Sequence, residues 1–111
     1  MTLKEKGGLR LLKRGASLKG WDELVQLLAH VQDRQHMDEL LRLLLTLHEQ
    51  ESLANRYRIV HALLCSGKPQ RHIAKNLQVS IAKVTAGSNG LKQISASLKQ
   101  LLHQHIDSQK Q

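Results

Sequence analysis

The sequence predicts a small all-α domain. Three observations point there: apolar residues recur at helical spacing from Trp21 onward, aromatic residues are nearly absent, and capping or breaking residues stand between the apolar runs. The only aromatic side chains are Trp21 and Tyr57, so any core is built from Leu, Ile, Val and Ala, which suits packed helices. Nothing reads as a strand, and there are no internal repeats. A chain of 111 residues forms one domain near the size at which burial only just outruns chain entropy. If its helices are short and spread out, a second subunit is needed to bury their apolar faces.

Residues 1–20 hold Lys4, Lys6, Arg10, Lys13, Arg14 and Lys19 against Glu5, with glycines at positions 7, 8, 15 and 20. That composition predicts a mobile basic arm ahead of a helical domain over 21–111. It lacks the apolar centre of a signal peptide, and Gly15 interrupts the amphipathic stretch "LRLLKRGASLK" that a membrane-surface helix would use. Trp21, Leu24, Val25, Leu27, Leu28 and Val31 then form the first apolar stripe. Arg34–His36 reads as a polar break, and Met37–Leu45 as a short, very apolar helix.

Thr46 and Glu49 have the spacing of a capping box opening a longer helix through Leu53, Tyr57, Val60, Leu63 and Leu64. Gly67 ends it, and Pro69 starts a short helix to Leu77. Ser80 caps a helix to about Lys92, and Ser95 caps a last one to about Ile106.

The formal net charge is +8 with a pI of about 10.1, which favours an anionic partner. Its distribution is the sharper signal. Between Glu51 and Asp107 there is no carboxylate, while Arg56, Arg58, Lys68, Arg71, Lys75, Lys83, Lys92 and Lys99 fall in that span. A solvated helix face usually mixes signs, so a polyphosphate-binding surface fits better. Cys65 is the single cysteine, which excludes an intrachain disulfide and suggests a reducing, cytoplasmic setting. No apolar stretch approaches a membrane span.

Within that span, "PQRHIAKNLQVSIAKV" places Ile73, Leu77, Val79 and Val84 where a helix-turn-helix over about 69–92 makes its internal contacts, with Ala74 at the close helix crossing. Gln78 occupies the turn position that favours positive φ and often holds Gly, at a modest penalty. The bland alternative is an ordinary helix hairpin. The missing carboxylates favour DNA instead. Arg71 can pair bidentately with guanine, Lys83 and Thr85 can reach phosphate or base edges, and Ile81 and Ala82 can meet thymine methyls.

The stretches "LLLTLHEQESLANRYRIVHALLCSG" and "QRHIAKNLQVSIAKVTAGSNGLK" resemble the core helix and helix-turn-helix of the Trp repressor family, the second ending in its Gly-Ser-Asn-x-Leu-Lys signature. The resemblance runs from about Trp21 to Ile106. It implies an intertwined, all-helical homodimer acting as a transcriptional repressor on palindromic double-stranded operator DNA. It also implies Arg71 as direct base reader, with Ser80, Ile81, Ala82 and Lys83 at the groove. The best-known members have Thr where this chain has Lys83. Gln70, Thr85, Ser88, Asn89 and Lys92 match phosphate-contacting or helix-shaping positions.

The same resemblance implies L-tryptophan as co-repressor, wedged between the core helix and the reading head. Carbonyls at Leu43 and Leu45 would hold its amine, Thr46 would help its carboxylate, Arg56 would stack on the indole, and Gly87 would leave room beneath the ring. Two positions depart. The family's second arginine, which pairs the carboxylate, is Ala86 here, and a serine that assists the amine is Gly90. Losing a charge-assisted contact costs on the order of 2 to 3 kcal/mol, or roughly a hundredfold in affinity. A tryptophan response is therefore in question where DNA binding is not.

Two rivals remain: a ligand-independent DNA binder of the same fold, and a basic interaction protein docking RNA or an acidic partner. An enzyme is not expected. The His61–Cys65 pair has i, i+4 spacing but lacks a third group. His103 and His105 point to different faces of a helix, so no metal site is expected.

Overall fold

The computed structural model describes residues 18–110, and most of the basic arm expected over 1–20 lies outside them. Six α-helices follow in order with no strand among the described residues, as the sequence predicts. They fall into two compact units, residues 1–47 and 48–111.

In the first unit, α1 (Leu18–His30) begins three residues ahead of Trp21. Gly20 is tolerated because it lies in the first turn, where interior helix contacts are fewest. Helix α2 (Arg34–Leu44) starts earlier than its apolar pattern suggests. Arg34–His36 are its first turn, not a break. Asp33 is the reason: as N-cap, its carboxylate accepts the His36 N–H at 2.9 Å, satisfying one of the orphan donors at the helix start. Arg42 Nε holds the Asp38 carboxylate one turn back at 3.1 Å. No residue of α2 is buried.

The second unit comprises nearly all of α3 (Leu47–Cys65), then α4 (Gln70–Leu77), α5 (Ile81–Leu91) and α6 (Ala96–Gln109). Helix α3 opens directly after Thr46, as the capping pattern requires, and ends at Cys65 ahead of Gly67, which takes the left-handed conformation with φ +64°. Pro69 turns out to precede α4 as its N-cap, and α6 runs three residues past Ile106. Ser95 caps α6 by accepting the Leu98 N–H at 3.0 Å.

The core of this unit is small. Ile59 of α3, Ile73 and Ala74 of α4, and Val84 of α5 are buried together, with Ala62, Leu63, Leu77 and Val79 packed against them. Helix α5 passes close to α3 at Gly87, where a Cβ would lie 2.9 Å from Ile59 Cγ2 and 3.4 Å from Leu63 Cδ1. Only glycine fits there without displacing a stiff β-branched neighbour.

Candidate nucleic-acid interface

Helices α4 and α5 form a helix-turn-helix whose geometry follows from its turn. Gln78 closes α4 at φ 60°, ψ 44°, and its N–H is shared between the carbonyls of Ala74 and Lys75. The Val79 N–H then reaches back to the Ala74 carbonyl at 3.0 Å. The two bonds reverse the chain within three residues and satisfy carbonyls that the helix end would leave orphaned. Ser80 restarts the helix, its hydroxyl accepting the Lys83 N–H at 3.2 Å. Below the turn, Val84 is fully buried against Ile73 and Ala74, with Leu77 and Val79 at the edge. The contacts expected from the sequence are the contacts made.

With Val84 pointing inward, the first turn of α5 presents Ile81, Ala82 and Lys83 outward, all exposed, with Ile81 retaining 45% of its surface. Arg71, in the first turn of α4, is also exposed. Further along, Ser88 is half-buried, while Asn89 and the C-cap Lys92 are exposed. At about 1.5 Å rise per residue, Lys92 stands roughly 16 Å from Ile81 along the helix.

Gln70 and Thr85 differ from the rest. Both are half-buried, and the Thr85 hydroxyl donates to Gln70 Oε1 at 2.7 Å, joining α4 to α5. The sequence names both residues but gives no sign of this bond, because the partners stand 15 positions apart.

A family model described as Trp repressor protein matches residues 19–106. The chain belongs to the Trp repressor family. It is 40% identical over 83 residues to a Trp operon repressor homolog of Chlamydia caviae, covering 75% of this chain and 82% of that protein. A homolog from Chlamydia trachomatis is 37% identical over 87 residues, 78% of this chain and 93% of its own. One from Haemophilus influenzae is 35% identical over 91 residues, 82% and 90% respectively. Membership makes this Trp repressor relative a helix-turn-helix, DNA-binding transcriptional repressor, from a family of regulators and not an enzyme class.

The positions that the resemblance associates with tryptophan are divided between the units. Leu43, Leu45 and Thr46 lie at the end of α2 and just after it, with Leu43 78% exposed. Arg56 is exposed on α3. Gly87 opens no free space towards α3, because Ile59 occupies it. Ala86 is exposed, and the space around Gly90 is open to 4 Å, so neither departure is forced by packing within this unit.

The Cys65 sulfur lies 3.6 Å from His61 Nδ1, and the Tyr57 ring lies tilted by 53° against that imidazole at 5.8 Å between centroids. No group of three His, Cys, Asp or Glu among the described residues could hold a metal, and no described helix is long and apolar enough to cross a membrane.

Proposed function

We propose that this chain acts in the cytoplasm as a homodimer, setting the first turn of α5 from each protomer into the major groove of a palindromic operator. The observation that carries the proposal is the exposed group Arg71, Ile81, Ala82 and Lys83 around one helix-turn-helix, within a span that holds no carboxylate. A general polyanion binder has no need to gather its guanidinium, ammonium and methyl groups at one reading head. In this proposal Arg71 reads guanine, Ile81 and Ala82 meet thymine methyls, and Ser80, Lys83, Ser88, Asn89 and Lys92 hold phosphates. The basic residues before α1 add contacts indifferent to sequence.

The test separates those roles. Arg71→Ala is expected to remove preference for an operator selected from random duplexes, at about 1 to 3 kcal/mol per half-site. Deleting residues 1–17 is expected to weaken all duplexes alike and flatten the salt dependence. The assignment is inverted if the deletion changes sequence preference and Arg71→Ala does not.

Tryptophan control is proposed to be weak. The family uses tryptophan as co-repressor, but this chain offers Ala86 where a carboxylate-pairing arginine would stand. Wild-type protein is expected to bind L-tryptophan poorly in calorimetry. Ala86→Arg is expected to gain up to about 2 to 3 kcal/mol from the charge-assisted pair, less if the flexible helix end at Gly90 limits it. Micromolar binding by the wild type would show that another cation holds the carboxylate.

A further inference from the structure

We infer that Thr85 is a positioning residue for operator binding, acting through Gln70 instead of on DNA. The inference rests on the DNA-facing role given above to the start of α4. A threonine hydroxyl has one hydrogen, and phosphate oxygens are acceptors only. In this structure that hydrogen is directed at Gln70 Oε1 at 2.7 Å in a half-buried contact. While the bond persists, Thr85 has nothing to donate to a phosphate.

The bond has two consequences. It ties the first residue of α4 to the second turn of α5, and so braces the two helices against each other at that point. It also sets the orientation of the Gln70 amide. The acceptor end is committed inward, and what the side chain has left to offer a ligand is its NH2 end, beside the exposed Arg71. A free glutamine samples both amide orientations and several rotamers. One held by Thr85 meets a phosphate oxygen with its donors already aimed, so less ordering is lost on binding.

The experiment is a double-mutant cycle read by binding to a palindromic duplex that the wild-type protein selects from random sequence, with and without L-tryptophan. Thr85→Val keeps the shape and removes the hydroxyl. It should weaken binding about three- to tenfold per half-site, the equivalent of one aligned hydrogen bond. Thr85→Ser should recover most of that loss. In a Gln70→Ala background, Thr85→Val should cost almost nothing more, because there is no amide left to orient. Gln70→Glu separates strut from donor: it can still accept the Thr85 hydroxyl and should keep the wild-type unfolding midpoint. It should nevertheless bind more weakly than Gln70→Ala, because a carboxylate then faces phosphate.

In the free protein, the Gln70 side-chain NH2 resonances should be resolved, and Thr85→Val should collapse them toward the random-coil position. An undiminished Thr85→Val penalty in the Gln70→Ala background would overturn the proposal, since Thr85 would then be acting on DNA itself. Wild-type binding by Gln70→Glu would do the same. Arg71→Ala in the same assay distinguishes the two levels. If it weakens binding and Thr85→Val does not, only the strut fails. If neither does, the DNA-facing role of α4 fails and takes this inference with it.

Discussion

The two units of the chain solve the burial problem differently. Every buried side chain among the described residues, namely Ile59, Ile73, Ala74, Val84 and Ile106, belongs to the second unit. The first has none, yet it carries Trp21, Val25, Leu27, Leu43, Leu44 and Leu47 as large exposed apolar residues. A single exposed leucine means little, but a concentration of them on consecutive amphipathic helices marks a surface made to be covered. The second unit closes a small core of its own, with Ile73, Ala74 and Val84 of the helix-turn-helix buried together with Ile59 of α3. The first unit cannot, and Leu53, Tyr57, Leu98 and Leu101 extend the same shortage into α3 and α6. The Trp repressor family acts as a dimer, so a second copy of the chain is the occupant proposed for these faces.

The largest expected effect follows directly. Wild-type protein should sediment as a dimer at micromolar concentration. A charge placed on the uncovered faces, as in Leu27→Asp or Leu44→Asp, should abolish cooperative folding, since an uncompensated buried charge costs about 3 to 5 kcal/mol. A stable, cooperatively folded wild-type monomer would break the comparison at its root.

What the sequence made legible follows the same division. Within the helix-turn-helix, the Ser80 cap, the left-handed Gln78 and the apolar contacts of Ile73, Ala74, Leu77 and Val84 were all readable, because each is encoded within a few residues. The start of α2 escapes the apolar periodicity for a local reason: Arg34–His36 are all polar, and the cap at Asp33 outweighs the missing apolar stripe. Two features could not be read at all. The Thr85–Gln70 bond and the contact of Gly87 with Ile59 join residues 15 and 28 positions apart, and no periodicity or cap rule reaches across such gaps.

Gly87 gives the next effect in size and sharpens the claim that the second unit is tightly closed. Ile59 retains 2% of its surface and is stiff at χ1, so it has little freedom to yield to a Cβ at 2.9 Å. Gly87→Ala should cost about 1 to 3 kcal/mol in urea unfolding despite its better helix propensity. Gly90→Ala, on the same helix where an added Cβ would meet nothing within 4 Å beyond the helix's own backbone and chain neighbours, should stabilise by up to about 1 kcal/mol. Opposite signs for two identical substitutions three residues apart would establish that α5 is pressed against α3 at one point and open at the next. Equal signs would mean that the close approach relaxes freely.

The smallest effect lies at the turn. Gln78 sits at φ 60°, the single non-glycine residue with positive φ among those described, and its side chain is exposed. For an L-residue this conformation costs roughly 1 to 2 kcal/mol through the approach of Cβ to the following carbonyl. Glycine removes that cost but gives back part of the gain, because it frees the unfolded chain by about 0.4 to 1 kcal/mol. The net expectation for Gln78→Gly is a stabilisation of about 0.5 to 1 kcal/mol. It should appear most clearly in the exchange of the Val79 amide, which the turn holds against the Ala74 carbonyl. Slower exchange there, with no change in sedimentation, would place the gain wholly inside the self-closing unit. Unchanged Val79 exchange alongside a tighter dimer would show instead that the turn is coupled to the covered faces, and that the helix-turn-helix is less independent than its local core implies.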